Sequence, residues 1–301
     1  MSRAKLKKAL LALEEGRDVA QDLERDPLRF THRYQSSLDQ EVSGVIASCL
    51  AYGRVSMFGP VIAALLDIAD KHGGPTKWVT TFSQAKADEI RHIKYRLNTS
   101  RDIILLIWTL QEVIQRYSSI GQVFLSNYKT KERDLQHCLN KSIGVFRKIA
   151  VAISEKENIL ADEFAHLPNG FRFFFPRPET GSACKRWNLF LRWMIRPTPP
   201  DLGLWKIPPA KLRIPLDAHV LSISQMIGLT KRKSADGKTV DEITMGLRQL
   251  DRLDPIRFDF SISHLGISGD CKKKYIKNIC QPCPLVAICI HTRRQHANKR
   301  T

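Results

Sequence analysis

The sequence lacks any long apolar run. Its longest candidate, Val61 to Ala69, is interrupted by Asp67 and falls well short of the ~20 residues that span a bilayer. Met1 to Leu11 holds no uninterrupted apolar stretch and no small-residue cleavage site. The pattern therefore predicts no secretory leader and instead an amphipathic helix with Leu6, Leu10 and Leu13 on one face. Alternating apolar and polar positions long enough for a sheet are missing, as are internal repeats and low-complexity tracts. The expectation is an all-α, intracellular and cytoplasmic chain with no membrane role. Its 301 residues suffice for one large domain or two modest ones, and 43% apolar with 26% charged residues is ordinary for a globular protein.

Acidic residues are also scarce. Asp plus Glu number 30 against 48 Lys plus Arg, a formal charge of +18. The excess is concentrated. Residues 181–233 carry ten basic and two acidic side chains, and residues 271–301 carry eight basic and none acidic, so each block holds +8. Two dense blocks point to a polyanionic partner, nucleic acid first and an acidic membrane surface second. The membrane reading lacks a long basic amphipathic helix with an aromatic face.

Cysteine is sparse outside one place. Cys49, Cys138 and Cys184 are scattered through helical patterns, where Cys usually acts as a small buried residue. Cys271, Cys280, Cys283 and Cys289 fall within 19 residues. In an intracellular chain, disulfides are disfavoured, and the spacing C-x8-C-x2-C-x5-C reads as a four-thiolate metal site. Zinc and a [4Fe–4S] cluster both accept four thiolates. Structural zinc usually takes two CxxC pairs, and one is present here, so the spacing favours the cluster. Either would act as a staple for a loop with little apolar content of its own.

Apolar periodicity predicts helices over 39–50, 58–70, 101–117, 135–155, 182–195, 216–227 and 240–250. Phe171 to Phe175 reads as a short strand or an aromatic loop. Pro197 to Pro215 reads as a functional loop or flexible insert, carrying Trp205, Lys206, Lys211 and Arg213 inside the first basic block.

Two motifs carry candidate chemistry. Gly181-Ser182-Ala183-Cys184-Lys185-Arg186 looks like a glycine turn opening a helix, an arrangement that suits a phosphate. Ile214-Pro215-Leu216-Asp217-Ala218-His219-Val220 places Asp217 at a helix N-cap. With Asn188 three residues beyond Lys185, these resemble the helix-hairpin-helix DNA glycosylase superfamily, and in detail endonuclease III. That family has a glycine hairpin leading to a helix with Lys and Asn, then a hydrophobic-Asp-x-His-hydrophobic motif. It ends in a [4Fe–4S] loop whose last three ligands match Cys280, Cys283 and Cys289. Ala51-Tyr52-Gly53-Arg54, Gly181 to Lys185 and Leu191-Arg192-Trp193-Met194 are most similar to its uncharacterised branch, DUF2400.

The resemblance implies a two-lobed fold with a C-terminal four-cysteine cluster loop. Residues 1–34 would form an N-terminal extension, 35–160 a helical barrel-type lobe, 161–295 the hairpin and cluster lobe, and 296–301 a basic tail. It implies a monomer bound to double-stranded DNA, nucleoid-associated, with a possible glycosylase or abasic-site lyase activity on a flipped base. Asp217 would match the catalytic aspartate and Lys185 the Schiff-base lysine. Gly181, Ser182, Arg186, Lys211, Arg213, Lys231, Arg232 and Lys233 would grip nucleic acid. Tyr52 and Arg54 would stand where relatives fill the gap left by the flipped base. The chain departs from the pattern in two places. Ala183 replaces the hairpin's second glycine, and the proline-rich segment lengthens the separation of Lys185 from Asp217. Both departures favour the alternative of a non-catalytic nucleic-acid-binding protein that keeps the fold and the metal.

Overall fold

The computed structural model describes residues 2–156 and 167–297, and among these no β-strand occurs. The first half contains α1 (Arg3–Glu15), α2 (Val19–Glu24), α3 (Ser37–Leu50), α4 (Val55–Lys71), α5 (Pro75–Thr80), α6 (Gln84–Glu89), α7 (Ser100–Tyr117), α8 (Ile120–Asn127) and α9 (Gln136–Lys156). The second contains α10 (Asn169–Phe174), α11 (Lys185–Ile195), α12 (Ala218–Met226), α13 (Gly237–Arg248), α14 (Asp259–Ile267), α15 (Lys277–Cys280) and α16 (Ile290–Ala297). Short 3-10 turns occupy Pro27–Arg33, Pro178–Thr180 and Pro209–Lys211. One contiguous buried apolar cluster runs from α1 to the cysteine loop. No described helix is long and apolar enough to cross a membrane.

The helix starts follow local chemistry. Thr99 and Asp102 form a reciprocal capping box at α7, which then buries Ile103, Leu106, Ile107, Leu110 and Val113. The contact that positions the site is α3 against α11. Gly44 permits it: a Cβ there would meet Met194 Cε at 2.9 Å and Phe190 Cε2 at 3.1 Å. The two helices run antiparallel, so the end of α3 lies beside the start of α11, where Arg186 Nη1 donates to Cys49 O at 2.8 Å.

Two expectations are corrected. Phe171 to Phe175 is neither strand nor loop: most of it is α10, with Phe171, Phe174 and Phe175 buried. Their i, i+3, i+4 spacing puts them on one face, where Phe175 packs with Phe171, Phe146 and Trp187. The proline-rich segment is not a flexible insert. Trp205, Ile207, Leu212, Ile214 and Leu216 are buried. Leu202 N and Trp205 N donate to Trp193 O and Met194 O, both at 2.8 Å, which ties the segment to the end of α11.

That segment also delivers a buried acid. Asp201 accepts from Arg192 Nε at 3.1 Å and from Arg196 Nη1 at 3.2 Å. Arg192 reaches on to Asp259 at 2.5 Å, and Arg196 to Asp254 at 2.6 Å. Pairing is what makes these buried charges tolerable. The lobe boundary expected at residue 160 lies outside the described residues, as do 298–301 of the basic tail.

Candidate active site

Five helix ends and one turn meet at the site. They are the end of α3, the starts of α4, α11, α12 and α14, and the turn opening at Pro27. Lys185 is the first residue of α11, entered through Gly181 at φ +82° and Cys184 at φ 46°. Both lie in the left-handed region, which Gly takes freely and Cys does not. The chain thus enters α11 through a sharp turn that sets the Lys185 side chain inward, where Nζ lies 3.4 Å from Ala51 O. Burial lowers the Lys185 pKa from 10.5, opposed by the charges of Asp217, Asp26 and Asp259 and assisted by Arg186.

Asp217 caps α12. Its Oδ1 accepts from His219 N and Val220 N, both at 2.8 Å. Lys185 and Asp217 line two adjoining cavities of ≈370 Å³ and ≈970 Å³, and His219, Ala51 and Gly53 line both as well. Among the described residues no direct ion pair joins the two. His219 is not fully satisfied. Its Nδ1 is buried without a partner among the described residues, and Gly266 leaves it room, since a Cβ there would come within 2.4 Å of that nitrogen.

The remaining sequence candidates divide sharply. Ser182 lines the larger cavity, and its Oγ accepts from Cys184 N at 3.2 Å. Gly181 is exposed at the turn. Arg54 is exposed and lines the smaller cavity. Tyr52 lines the larger cavity, with its hydroxyl 2.7 Å from Asn98 Oδ1 and its ring packed on Tyr95 and Phe173. Arg186 also lines the larger cavity but is buried, held by Cys49 O and Phe173 O and stacked on the Phe173 ring.

Lys211 and Arg213 do not stand ready for phosphate. Lys211 Nζ donates to Thr130 O at 2.8 Å and to Glu132 O, while Arg213 is buried and bound to Asp241 at 2.7 Å. Both tie segments together. Arg232 pairs with Asp236 at 2.9 Å, and neither it nor the exposed Lys231 and Lys233 lines either cavity. Four of the ten cations in the first basic block, Arg186, Arg192, Arg196 and Arg213, are buried, so that block is partly an internal ion network. None of the described residues from 271 onward lines either cavity.

Besides Lys185, Arg186 and Arg54, further cations line the cavities. Arg25 joins Arg54 at the smaller cavity, and Arg147, Arg172 and Arg177 surround the larger. The last three crowd one another: burial and the charges of Arg177 and Arg172 push the Arg147 pKa down. In sequence they are single arginines outside either block. Their only local signal was Arg172 and Arg177 flanking Phe173 to Pro176, just ahead of the glycine turn.

Cys271, Cys280, Cys283 and Cys289 line one cavity walled by Ile223, Met226, Ile227 and Leu265. Backbone N–H groups face three of the sulfurs: Lys273 at Cys271, Ile276 at Cys280 (3.4 Å) and Leu285 at Cys283. Among the described residues no three His, Cys, Asp or Glu side chains converge closely enough to hold a single ion as they stand. The donor set itself, four sulfurs on an apolar wall with amide donors behind them, suits a thiolate-bound centre. By contrast Cys49, Cys138 and Cys184 are buried singly.

A family model described as a protein of unknown function (DUF2400) matches residues 26–268. The chain belongs to that family. The matched span covers Lys185, Asp217 and all the described helix ends of the site, and it stops before Cys271. Neither curated proteins nor solved structures yield a match.

Proposed function

We propose that this DUF2400 chain acts on nucleic acid, double-stranded DNA first, as a glycosylase-type or abasic-site lyase on a helix-hairpin-helix framework. The observation that carries the reading is the shared lining. Lys185 and Asp217 face the same two cavities, and Arg25, Arg54, Arg147, Arg172 and Arg177 stand around them. A lysine whose pKa burial lowers presents more of the neutral amine that attacks a sugar C1′. The Asp217 carboxylate stabilises positive charge building on that sugar. The arginines offer phosphate contacts that position the strand without reading its sequence.

The four thiols would hold a [4Fe–4S] cluster, with zinc as the other candidate. The group would supply a fold-stabilising cross-link for residues 271–289. Aerobic or anaerobic purification is expected to give a brown protein whose visible absorption disappears in Cys280→Ser. A colourless protein that contains zinc sinks the cluster assignment.

The catalytic reading is tested by cyanoborohydride trapping on duplex DNA containing an abasic site. Wild type is expected to form a covalent adduct, Lys185→Gln none, and Asp217→Asn much less with binding kept. A second reading, binding without chemistry, is favoured by Ala183 in the hairpin and by the Lys185 Nζ contact with Ala51 O. It predicts salt-sensitive binding that is indifferent to Asp217→Asn and no adduct at any pH.

A further inference from the structure

Asp259 opens α14 on the wall of the smaller cavity, in the same lining as Lys185 and Asp217. It is 1 % exposed. One oxygen, Oδ2, accepts from Arg192 Nη1 at 2.5 Å. The other, Oδ1, is buried and has no hydrogen-bond partner among the described residues. A buried carboxylate oxygen is normally satisfied, and a bare one beside a cavity is a place where a ligand supplies the missing partner.

We propose that Asp259 is an acid–base group of this cavity, exchanging a proton through Oδ1 with the ligand that Lys185 attacks. The inference rests on Lys185 as nucleophile, not on nucleic acid as its target. Two carboxylates in contrasting surroundings commonly divide labour in this way. Asp217 has an oxygen tied to two backbone N–H groups. Asp259 has a buried oxygen without a partner among the described residues. The charged groups around Asp259 are Arg192 and Lys185 from α11, Asp201 from the proline-rich segment and Asp217 from the α12 cap. Asp26 at the Pro27 turn, His219 of α12, Arg25 and Arg54 line the same cavity, and His264 of α14 has Nε2 3.0 Å from Asp26 Oδ2. Burial pushes the Asp259 carboxyl up to about 6, Arg192 holds it down, and the Asp217 and Asp201 charges add to the rise. The proline-rich segment thereby gains a function: its Asp201 anchors Arg192 behind the site.

In imine formation with an aldehyde, the Lys185 Nζ lone pair forms the C–N bond, and the carbonyl π pair becomes a hydroxyl that takes the proton nitrogen loses. The hydroxyl then leaves as water with the Asp259 proton, and the nitrogen lone pair closes the C=N bond. Asp259 is left ionised beside the iminium, so charge balances.

The test labels the full chain with propionaldehyde and cyanoborohydride across pH and reads Lys185 alkylation by peptide mass spectrometry. The same series is run in parallel on abasic-site duplex DNA. The wild-type to Asp259→Asn rate ratio is expected to be about 100 at acidic pH, the lower range for general acid catalysis. It should collapse as pH rises through about 6, and Asp259→Glu should restore it. Asp217→Asn should move the wild-type midpoint to lower pH, because the Asp217 charge lifts Asp259. Asn caps a helix as well as Asp, so this variant keeps the inference testable if Asp259→Asn does not fold. A ratio that is flat with pH overturns the proposal, and so does a midpoint unmoved in Asp217→Asn. A purely electrostatic role runs the other way: removing the Asp259 charge lowers the Lys185 pKa and speeds labelling above about pH 6, which also overturns it. A pH-dependent ratio with propionaldehyde but no adduct on DNA keeps this proposal and sinks the nucleic-acid reading. An adduct on DNA with a flat ratio does the reverse.

Discussion

Asp217 and Asp259 are the same residue type some 40 positions apart in sequence, each at a helix start and each on the wall of one cavity. Their surroundings differ, and that difference has a thermodynamic consequence. Folded Asp259 titrates at about 6 against a reference of 3.8, with burial as the main cause. Between those values the folded state holds a proton that the unfolded state has released. The stability Asp259 contributes is therefore fully present below about 3.8 and is lost as pH rises through about 6. The shift corresponds to about 3 kcal/mol. Denaturant unfolding of wild type and Asp259→Asn at several pH values should show their difference falling by roughly that amount across the window. A difference that rises with pH would mean that Asp259 is ionised throughout, with Arg192 overriding burial. Sequence reasoning could see Asp217, because its motif names it. It could not see Asp259, because the acid's meaning comes from Arg192 and Asp201, which lie far from it along the chain. His219 is similar: the motif places it after Asp217, but only Gly266 of α14 shows the room left for it.

At the scale of elements, the long helices were legible and the short packed pieces were not. The stripes in 39–50, 58–70 and 101–117 repeat often enough to fix both period and buried face, and α3, α4 and α7 start and stop within three residues of them. Four phenylalanines within five residues have no clear period of their own, so α10 became visible only with Phe146 and Trp187 against it. The proline-rich segment misled more seriously, since proline density reads as a loop while burial depends on distant partners. Trp205 is the decisive residue. It is 5 % exposed, its Nε1 donates to Glu41 Oε1 at 2.7 Å, and its ring stacks on Phe124. Trp205→Ala should cost about 3–5 kcal/mol, as large aromatic truncations in cores do, whereas Lys206→Ala next to it should stay within about 0.5 kcal/mol. Chemical denaturation of the two variants checks this. Equal and small effects would return the segment to the status of a flexible insert.

For the whole molecule, a charge of +18 does not identify the cations that meet a ligand. Arg192, Arg196 and Arg213 are each bound to buried or half-buried acids, and their charges are spent on folding. Arg172 and Arg177 are exposed at the larger cavity, Arg177 in an exposed pair with Glu179 that a phosphate can displace. Each phosphate neutralised on duplex DNA releases counterions and contributes ~0.9 to the slope of log K against log salt. If the cavities form the nucleic-acid interface, Arg172→Ala and Arg177→Ala should each reduce that slope by ~0.9, and together by about twice as much. Lys231→Ala and Lys233→Ala, away from both cavities, should leave it nearly unchanged. Arg213→Ala should behave differently again, lowering stability because Asp241 loses its buried partner while the slope of the folded fraction stays the same. Fluorescence anisotropy on one labelled duplex over a salt series measures all three classes. If Lys231 and Lys233 carry the slope and Arg172 and Arg177 do not, the bound strand runs over α12 and α13 rather than past Lys185, and the chemistry proposed for that lysine loses its substrate.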